Sequence, residues 1–145
     1  TAKLLTSLFR LRKIHKTYLA ICYGTFKNKK GEIRGNLIKY EKEKKISELA
    51  ITYYNVISSN NFFSFLELKP ITGRKHQLRK QLSLMGNPIV GDNKYNIIKS
   101  KNKDQKKLLL HAHKIKFLIN NKKFNFKAEP PDYFNNYLNK KRLII

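Results

Sequence analysis

The stretch ELKPITGRKHQLRKQLSLMGNPIVGDNKY, from Glu67 to Tyr95, carries more information than any other part of this sequence. It begins as a β-rich run and turns sharply at Gly73, where the absent side chain permits a close turn and close backbone approach. A helix is predicted over Lys75–Met85 from apolar residues that recur at helical spacing, namely Leu78, Leu82 and Met85. Gly86 is typical of a helix C-terminus. The order is therefore strand, basic turn and helix.

The turn and the start of this helix are strongly basic. The basic side chains are Lys69, Arg74, Lys75, His76 when protonated, Arg79 and Lys80. The free amide groups at a helix N-terminus also favour anions. The combination indicates a phosphate-binding element, and the alternative is a solvated basic face.

Most of the remaining sequence predicts strands. Lys16–Gly24 is rich in Tyr, Leu and Ile and ends at glycine. Ser47–Ser58 and Phe62–Lys69 flank a turn-forming Ser-Ser-Asn-Asn run and predict a hairpin. Leu108–Ile119 and Lys123–Lys127 flank Asn-Asn and predict a second hairpin.

The other segments are predicted to be helical or irregular. Residues 1–12 have leucines close to helical spacing and predict an amphipathic helix. Lys27–Lys45 is highly charged and predicts a loop or irregular hairpin with a short strand near Leu37–Tyr40. A terminal helix is expected from Pro131 to about Lys140. These elements predict one α+β domain with a mixed, largely antiparallel sheet and flanking short helices.

Charge is the strongest compositional signal, with 32 Lys and Arg against 9 Asp and Glu and a formal net charge of +23. This excess favours a polyanionic partner, first nucleic acid and second an anionic membrane surface. Compositional drift toward Lys and Asn is the alternative explanation for part of it. The single cysteine, Cys22, excludes an internal disulfide and a cysteine-based zinc site, and is expected to be a core residue. No signal peptide or membrane span is recognisable, so a reducing, cytoplasmic setting is expected.

Three ordered motifs resemble those of the RluA-type pseudouridine synthases. The first joins PITGRKHQLR to GNPIVGDNKY, the second is HKTYLAICYG at residues 15–24, and the third is LLLHAHKIKF at residues 108–117. The resemblance implies a catalytic domain that flips a uridine out of RNA and isomerises it to pseudouridine without metal or organic cofactor. By analogy, the RNA is expected to be large-subunit ribosomal RNA.

The resemblance also implies roles for individual residues. Tyr18 matches a tyrosine that stacks on the base, and Arg79 matches the partner of the catalytic aspartate. An RNA-binding role is expected for Lys16, Arg74, Lys75, His76 and Lys80, and Leu110 is expected to line the cleft. Without the family pattern, Tyr18 and Arg79 would be an ordinary strand aromatic and a surface arginine. Asp92 is interpreted as a turn acid, and a metal site at the two alternating histidines, 111 and 113, is not expected.

One departure from the family pattern concerns the nucleophile. The family's aspartate lies in an Arg-Leu-Asp-x-x-Thr-Ser-Gly segment, whereas the three aspartates here are Asp92, Asp104 and Asp132, none of which follows Arg-Leu. Residues 1–145 are therefore expected to form part of a catalytic domain and to be inactive alone. The alternative is a non-catalytic, basic RNA-binding remnant.

Overall fold

The computed structural model describes residues 14–96 and 106–143, so the helix predicted for residues 1–12 lies outside the described residues. Six strands form one sheet in the order β2-β3-β4-β1-β5-β6. The strands are β1 (His15–Tyr23), β2 (Lys30–Glu41), β3 (Lys44–Ser59), β4 (Phe63–Pro70), β5 (Leu110–Ile119) and β6 (Lys122–Lys127). The helices are α1 (Gln77–Leu84) and α2 (Asp132–Lys140). Every pairing between these strands is antiparallel, and the α+β class is confirmed.

The segment between β1 and β3 differs from its prediction. It contains a regular strand of 12 residues, Lys30–Glu41, instead of the predicted loop or irregular hairpin with a short strand near Leu37–Tyr40. This strand pairs with β3 along its whole length, from Lys30 opposite Asn55 to Glu41 opposite Lys44. The prediction was wrong because high charge was interpreted as irregular structure. The strand is at the sheet edge, where charged side chains can face solvent.

The sheet separates two apolar cores. On one face, α1 contributes Leu78 and Leu82, which pack with Ala20, Cys22 and Leu66. On the other face, α2 packs against the central strands through the remaining core side chains, which include Leu19, Ile21, Phe134 and Leu138. The two faces arise from β1 itself, whose side chains alternate between the two clusters. Burial raises the pKa of the Cys22 thiol to about 12, which is consistent with an inert core cysteine.

A buried polar network fixes α1 to the sheet. Thr52 is fully buried, donates to Gln81 Oε1 at 2.6 Å, and accepts from Gln77 Nε2 at 2.8 Å. Thr72 donates to Gln77 Oε1 at 2.6 Å and accepts the amide of Ile51 at 2.9 Å. Because each of these buried groups has a partner, the network fixes the helix position without an unsatisfied group.

The tight turn before α1 takes its left-handed residue from His76. Gly73 does not adopt a left-handed backbone, and a Cβ added there would meet nothing within 4 Å. The left-handed residue is His76, with φ 52°, which is the N-cap of α1. Gly73 lies on the wall of the cleft described below, and among the described residues no group makes the close approach that a glycine there permits.

Candidate functional site

A cleft of about 730 Å³ lies on the α1 face of the sheet. Strands β4, β1 and β5 supply its floor, and the turn leading into α1 supplies its wall. The lining residues are Ile14, Lys16, Tyr18, Pro70, Ile71, Thr72, Gly73, Arg74, His76, Gln77, Leu78, Arg79 and Leu110. None of these residues is acidic, so the cleft is suited to an anionic or electron-rich ligand.

Tyr18 is the central aromatic residue of the cleft. It lies opposite Leu68 in β4 and opposite Ala112 in β5, and its ring packs against the core beneath α1. Partial burial raises the pKa of its phenol above the ordinary value. A half-buried neutral phenol offers both an aromatic face and a hydroxyl group to a bound ligand.

Lys16 and Leu110 complete the floor on either side of Tyr18. Lys16 lies two residues earlier on β1, and burial lowers the pKa of its amine below the ordinary value. Leu110 lies opposite Ala20 and is half-buried. Leu110 is among the residues that line this cleft.

Arg79 enters the cleft wall from the first turn of α1 and forms an ion pair with Asp92. Its Nε donates to Asp92 Oδ2 at 3.0 Å, and its Nη2 donates to Oδ1 at 2.8 Å. The Asp92 side chain is 0% exposed, and that of Arg79 is 19% exposed. Within the described residues, this pairing leaves the Nη1 hydrogens of Arg79 available for another acceptor.

The Asp92 carboxylate also organises its own turn. Its Oδ1 accepts the backbone N–H groups of Lys94 and Tyr95, at 3.0 and 2.9 Å. Burial alone would raise the pKa of this carboxyl, but the Arg79 hydrogen bond and these two amides lower it below its ordinary value. The hydrogen bond to Asp92 in turn raises the pKa of Arg79. Asp92 is thus a turn acid, as predicted, and also the partner of Arg79.

Tyr95 holds the other side of Arg79. The guanidinium carbon lies 5.1 Å from the centre of the Tyr95 ring, and the Tyr95 hydroxyl lies 2.7 Å from His76 Nδ1. The backbone carbonyl of Tyr95 accepts a hydrogen bond from the Ser83 hydroxyl. Burial, with the nearby cations, lowers the pKa of His76, which favours its neutral imidazole.

The remaining predicted basic residues are divided between the cleft and its surroundings. Arg74 lines the cleft, donates to the Leu49 carbonyl at 2.9 Å, and pairs with Glu48 at 3.1 Å. Lys75 is exposed and Lys80 half-buried, and neither is among the residues that line the cleft. Of the seven residues predicted to be catalytic or RNA-binding, five line this cleft, namely Lys16, Tyr18, Arg74, His76 and Arg79.

Sequence reasoning did not identify Tyr95, Thr72 or Gln77 as site residues. Thr72 and Gln77 line the cleft while anchoring α1, and Tyr95 supports Arg79 from outside the lining. The available signal was the position of Tyr95 three residues after Asp92, because an aspartate commonly accepts amides of the residues that follow it in a turn.

The histidines of β5 lie on the sheet away from this cleft. His111 Nε2 and His113 Nδ1 each lie 2.8 Å from the same acceptor, the Ala128 carbonyl. Within residues 14–96 and 106–143, no group of three or more His, Cys, Asp or Glu side chains could hold a metal ion. In the same ranges, no helix is long and apolar enough to cross a bilayer.

Comparison with known proteins gives concordant matches. The sequence model described as RNA pseudouridylate synthase matches residues 1–84. The ribosomal large subunit pseudouridine synthase C of Rickettsia bellii is 41% identical over 142 residues, which cover 88% of this chain and 46% of that protein. The ribosomal large subunit pseudouridine synthase D of Borreliella burgdorferi is 31% identical to this chain, and the match covers 43% of that protein. The chain therefore spans about half the length of these relatives.

Solved structures give the same result. Human RNA pseudouridylate synthase domain containing 4 matches with a TM-score of 0.81 and 27% identity, over 99% of this chain and 68% of that chain. Human RNA pseudouridylate synthase domain containing 1 matches with a TM-score of 0.77 and 23% identity, over 90% of this chain and 60% of that chain. The second likeness is evidence of fold alone.

Proposed function

The chain belongs to the RNA pseudouridylate synthase family, and we propose that its cleft binds a uridine flipped out of RNA and takes part in its isomerisation to pseudouridine. The observation that carries this proposal is the placement of Tyr18 and Arg79 in one basic cleft, which has no acidic residue among the described residues that line it. A flipped base needs an aromatic surface and polar partners inside such a pocket.

Tyr18 is proposed as the stacking and proton-accepting group. Its half-buried ring lies on the cleft floor, and base–aromatic stacking is worth about 1–3 kcal/mol per base. The reaction breaks the bond from C1′ of the ribose to N1, turns the base, and joins C1′ to C5. The proton on C5 must then leave, and we propose that the Tyr18 hydroxyl assists its removal. The product is an isomer, so no co-reactant is consumed.

Arg79 is proposed to hold the carboxylate that initiates the reaction. Its Nε and Nη2 are bound to Asp92, whereas its Nη1 hydrogens are available within the described residues. A guanidinium can bind two carboxylates from different directions, keeping both ionised. Because the 145 residues contain no aspartate after Arg-Leu, we propose that the carboxylate comes from outside this chain and that the chain alone is inactive.

The other cleft residues are proposed to bind the RNA. Lys16, Arg74 and His76 line the cleft, while Lys75 and Lys80 lie beside it and would contact phosphates nearby. The substrate proposed is large-subunit ribosomal RNA, because the named relatives are ribosomal large subunit pseudouridine synthases. We place the activity in the cytoplasm and propose no metal or organic cofactor.

The test is tritium release from RNA labelled at C5 of uridine, using large-subunit ribosomal RNA as substrate. The 145-residue chain should release no tritium, whereas the same chain preceded by an Arg-Leu-Asp-containing segment from a relative should do so. Arg79→Ala and Tyr18→Phe should each abolish release from the extended protein. Release by the chain alone would contradict the missing-carboxylate proposal.

A second candidate function is RNA binding without chemistry. The observation that favours it is the same excess of positive charge combined with the absence of an Arg-Leu-Asp sequence. RNA binding by the chain alone, with no tritium release from the extended protein, would support this function over catalysis.

A further inference from the structure

The β5–β6 hairpin has an aromatic face that belongs to neither core. Phe117 and Phe124 lie opposite each other, with ring centres 5.3 Å apart and an interplanar angle of 13°. Phe126 stacks on Phe117 at 5.9 Å and is 56% exposed. Neither apolar cluster of the domain includes any of these three rings. The hairpin therefore presents stacked aromatic surface to solvent.

This face is continuous with the floor of the cleft. Lys16, which lines the cleft, lies opposite Ile115 on β5, and Ile115 lies opposite Phe126 on β6. Directly paired residues of antiparallel strands point to the same side of a sheet. Lys16, Ile115 and Phe126 thus form one row, which extends from the cleft to the exposed ring.

The hairpin is also basic. Between Leu110 and Lys127 it carries five lysines and no acidic residue: Lys114, Lys116, Lys122, Lys123 and Lys127. Lys122 lies opposite Ile119 on the aromatic face, whereas the other four lysines lie on the opposite face, where Lys127 pairs with Glu129 at 3.3 Å. The positive charge on the aromatic face itself comes from Lys122 and from Lys16, which is in the same row as Phe126. These two cations would attract the phosphates of a bound strand.

We propose that the aromatic face of the β5–β6 hairpin, formed by Phe117, Phe124 and Phe126, is a stacking platform for single-stranded nucleotides that flank the flipped uridine. Aromatic rings on a strand surface within a positively charged region are the combination that binds unpaired bases without sequence preference. A purely apolar protein partner would not use Lys16 and Lys122, the cations on the same face. This inference rests on the proposed function, because it requires RNA in the cleft. It adds the path that the RNA next to the flipped uridine takes over the protein.

The first measurement is the affinity of the 145-residue chain for a labelled oligouridylate, followed by fluorescence anisotropy. Phe126→Ala should weaken binding about fivefold or more, the lower end expected for losing one base–aromatic stack. Phe126→Leu should behave in the same way, because it keeps apolar surface but not the ring. The matched control is Phe62→Ala, since Phe62 is 72% exposed. Its carbonyl accepts a hydrogen bond from the Gly24 amide, just beyond the C-terminal end of β1, whereas Lys16 lies near the other end of that strand. Phe62→Ala should bind within about twofold of wild type.

The second measurement uses the absence of tryptophan from this chain. Phe126→Trp should retain binding, and the fluorescence of the introduced indole should be quenched when oligouridylate is added, because a base stacks on it. Thermal unfolding checks that each variant is folded. Unchanged indole fluorescence while anisotropy shows bound RNA would overturn the platform, as would equal binding by Phe126→Ala and wild type.

Two further outcomes separate this inference from the proposed function. Failure of the wild-type chain to bind any RNA would overturn RNA as the partner, and with it both proposals. An indole signal that changes with protein concentration in the absence of RNA would overturn only the platform, because the face would then be an interface between two copies.

Discussion

Arg79 and Asp92 form a side-on ion pair with two hydrogen bonds, and the carboxylate of that pair is fully buried. Arg79 therefore cannot leave Asp92 without stranding a buried charge, and breaking such a pair by removing one partner is expensive. In a protein that brings a second carboxylate to the cleft, Arg79 would act as a fixed cation between two acids.

Asp92→Asn should destabilise the fold. The amide keeps an oxygen for the Lys94 and Tyr95 amides but places N–H groups against Arg79. Removal of one partner from a buried pair costs about 3–5 kcal/mol, and the partial exposure of Arg79 lowers the expectation to about 2–3 kcal/mol. Urea unfolding measures the change. Glu129→Gln, which removes an exposed acid paired with Lys127, should stay within about 0.5 kcal/mol.

The stabilisation by Asp92 should depend on pH with a defined sign. The folded pKa of Asp92 lies below its ordinary value of 3.8, so the unfolded chain binds its proton first as the pH falls. The contribution is complete above the unfolded pKa and is lost as the pH falls through the folded pKa. The difference in unfolding free energy between wild type and Asp92→Asn should therefore be constant near neutral pH and shrink in acid. A difference that grows toward acid would contradict the assignment.

Thr52→Val should destabilise the domain even though it preserves shape. Valine can neither donate to Gln81 nor accept from Gln77, which leaves two buried amide groups without that partner. An unsatisfied buried group costs about 1–3 kcal/mol. Thermal or urea unfolding measures the loss. The matched control is Thr17→Val, because Thr17 is equally a strand threonine, is 9% exposed, and makes no side-chain hydrogen bond within the described residues; its stability should change little.

The glycines at positions 73 and 91 should respond oppositely to alanine. Gly91 has φ +83°, and a Cβ there would lie 2.0 Å from the Lys107 carbonyl oxygen, so Gly91→Ala should cost more than about 3 kcal/mol. Gly73 has neither restriction, and Gly73→Ala should leave the unfolding free energy unchanged or raise it by up to about 1 kcal/mol. Comparable losses from both substitutions would show that the turn before α1 is tighter than described.

Tyr18→Ala should weaken binding of single-stranded RNA by about 1–3 kcal/mol, the range for losing one base–aromatic stack. Tyr18→Phe should bind normally, because it retains the ring that faces the cleft. Fluorescence anisotropy with a labelled oligouridylate measures both. Tyr53→Ala is the control, since Tyr53 is 48% exposed on β3 and is not among the cleft-lining residues. Equal losses of affinity from Tyr18→Ala and Tyr53→Ala would indicate that the RNA binds to the protein surface in general and not specifically in the cleft.

Turn chemistry explains which hairpins could be predicted from sequence. The turn between β5 and β6 places Asn120 and Asn121 at φ 49° and 64°, and asparagine tolerates this left-handed region. The turn between β2 and β3 requires the same geometry from Lys42 and Glu43, at φ 46° and 66°. Lysine and glutamate carry no such signal, so this longer, regular hairpin was predicted only as a loop or an irregular hairpin with one short strand. Its pairing with β3 compensates for the local strain.

Several residues of the site could be predicted from the sequence, but the contacts between them could not. Tyr18 and Arg79 were identified through the resemblance to the RluA-type family and Arg74 through the basic turn, and all three line the cleft. The Arg79 partner in this chain, Asp92, lies 13 residues away across a turn, and Tyr95 reaches Arg79 from beyond that turn. Such contacts depend on how the chain returns after α1, which periodicity and propensity do not encode.

The floor of the cleft has a span set by the backbone. Pro70, Tyr18 and Leu110 come from three neighbouring strands, β4, β1 and β5. Neighbouring strands lie about 4.8 Å apart, so the floor is about 10 Å wide whatever side chains it carries. Substitutions can therefore change which ligand the floor binds, whereas the width of the floor changes only if a strand is inserted or lost. Proteins with this architecture can thus differ in the side chains that line the cleft and in the segments around it. The hydrogen-bonded sheet fixes the width of the ligand that the floor can accept.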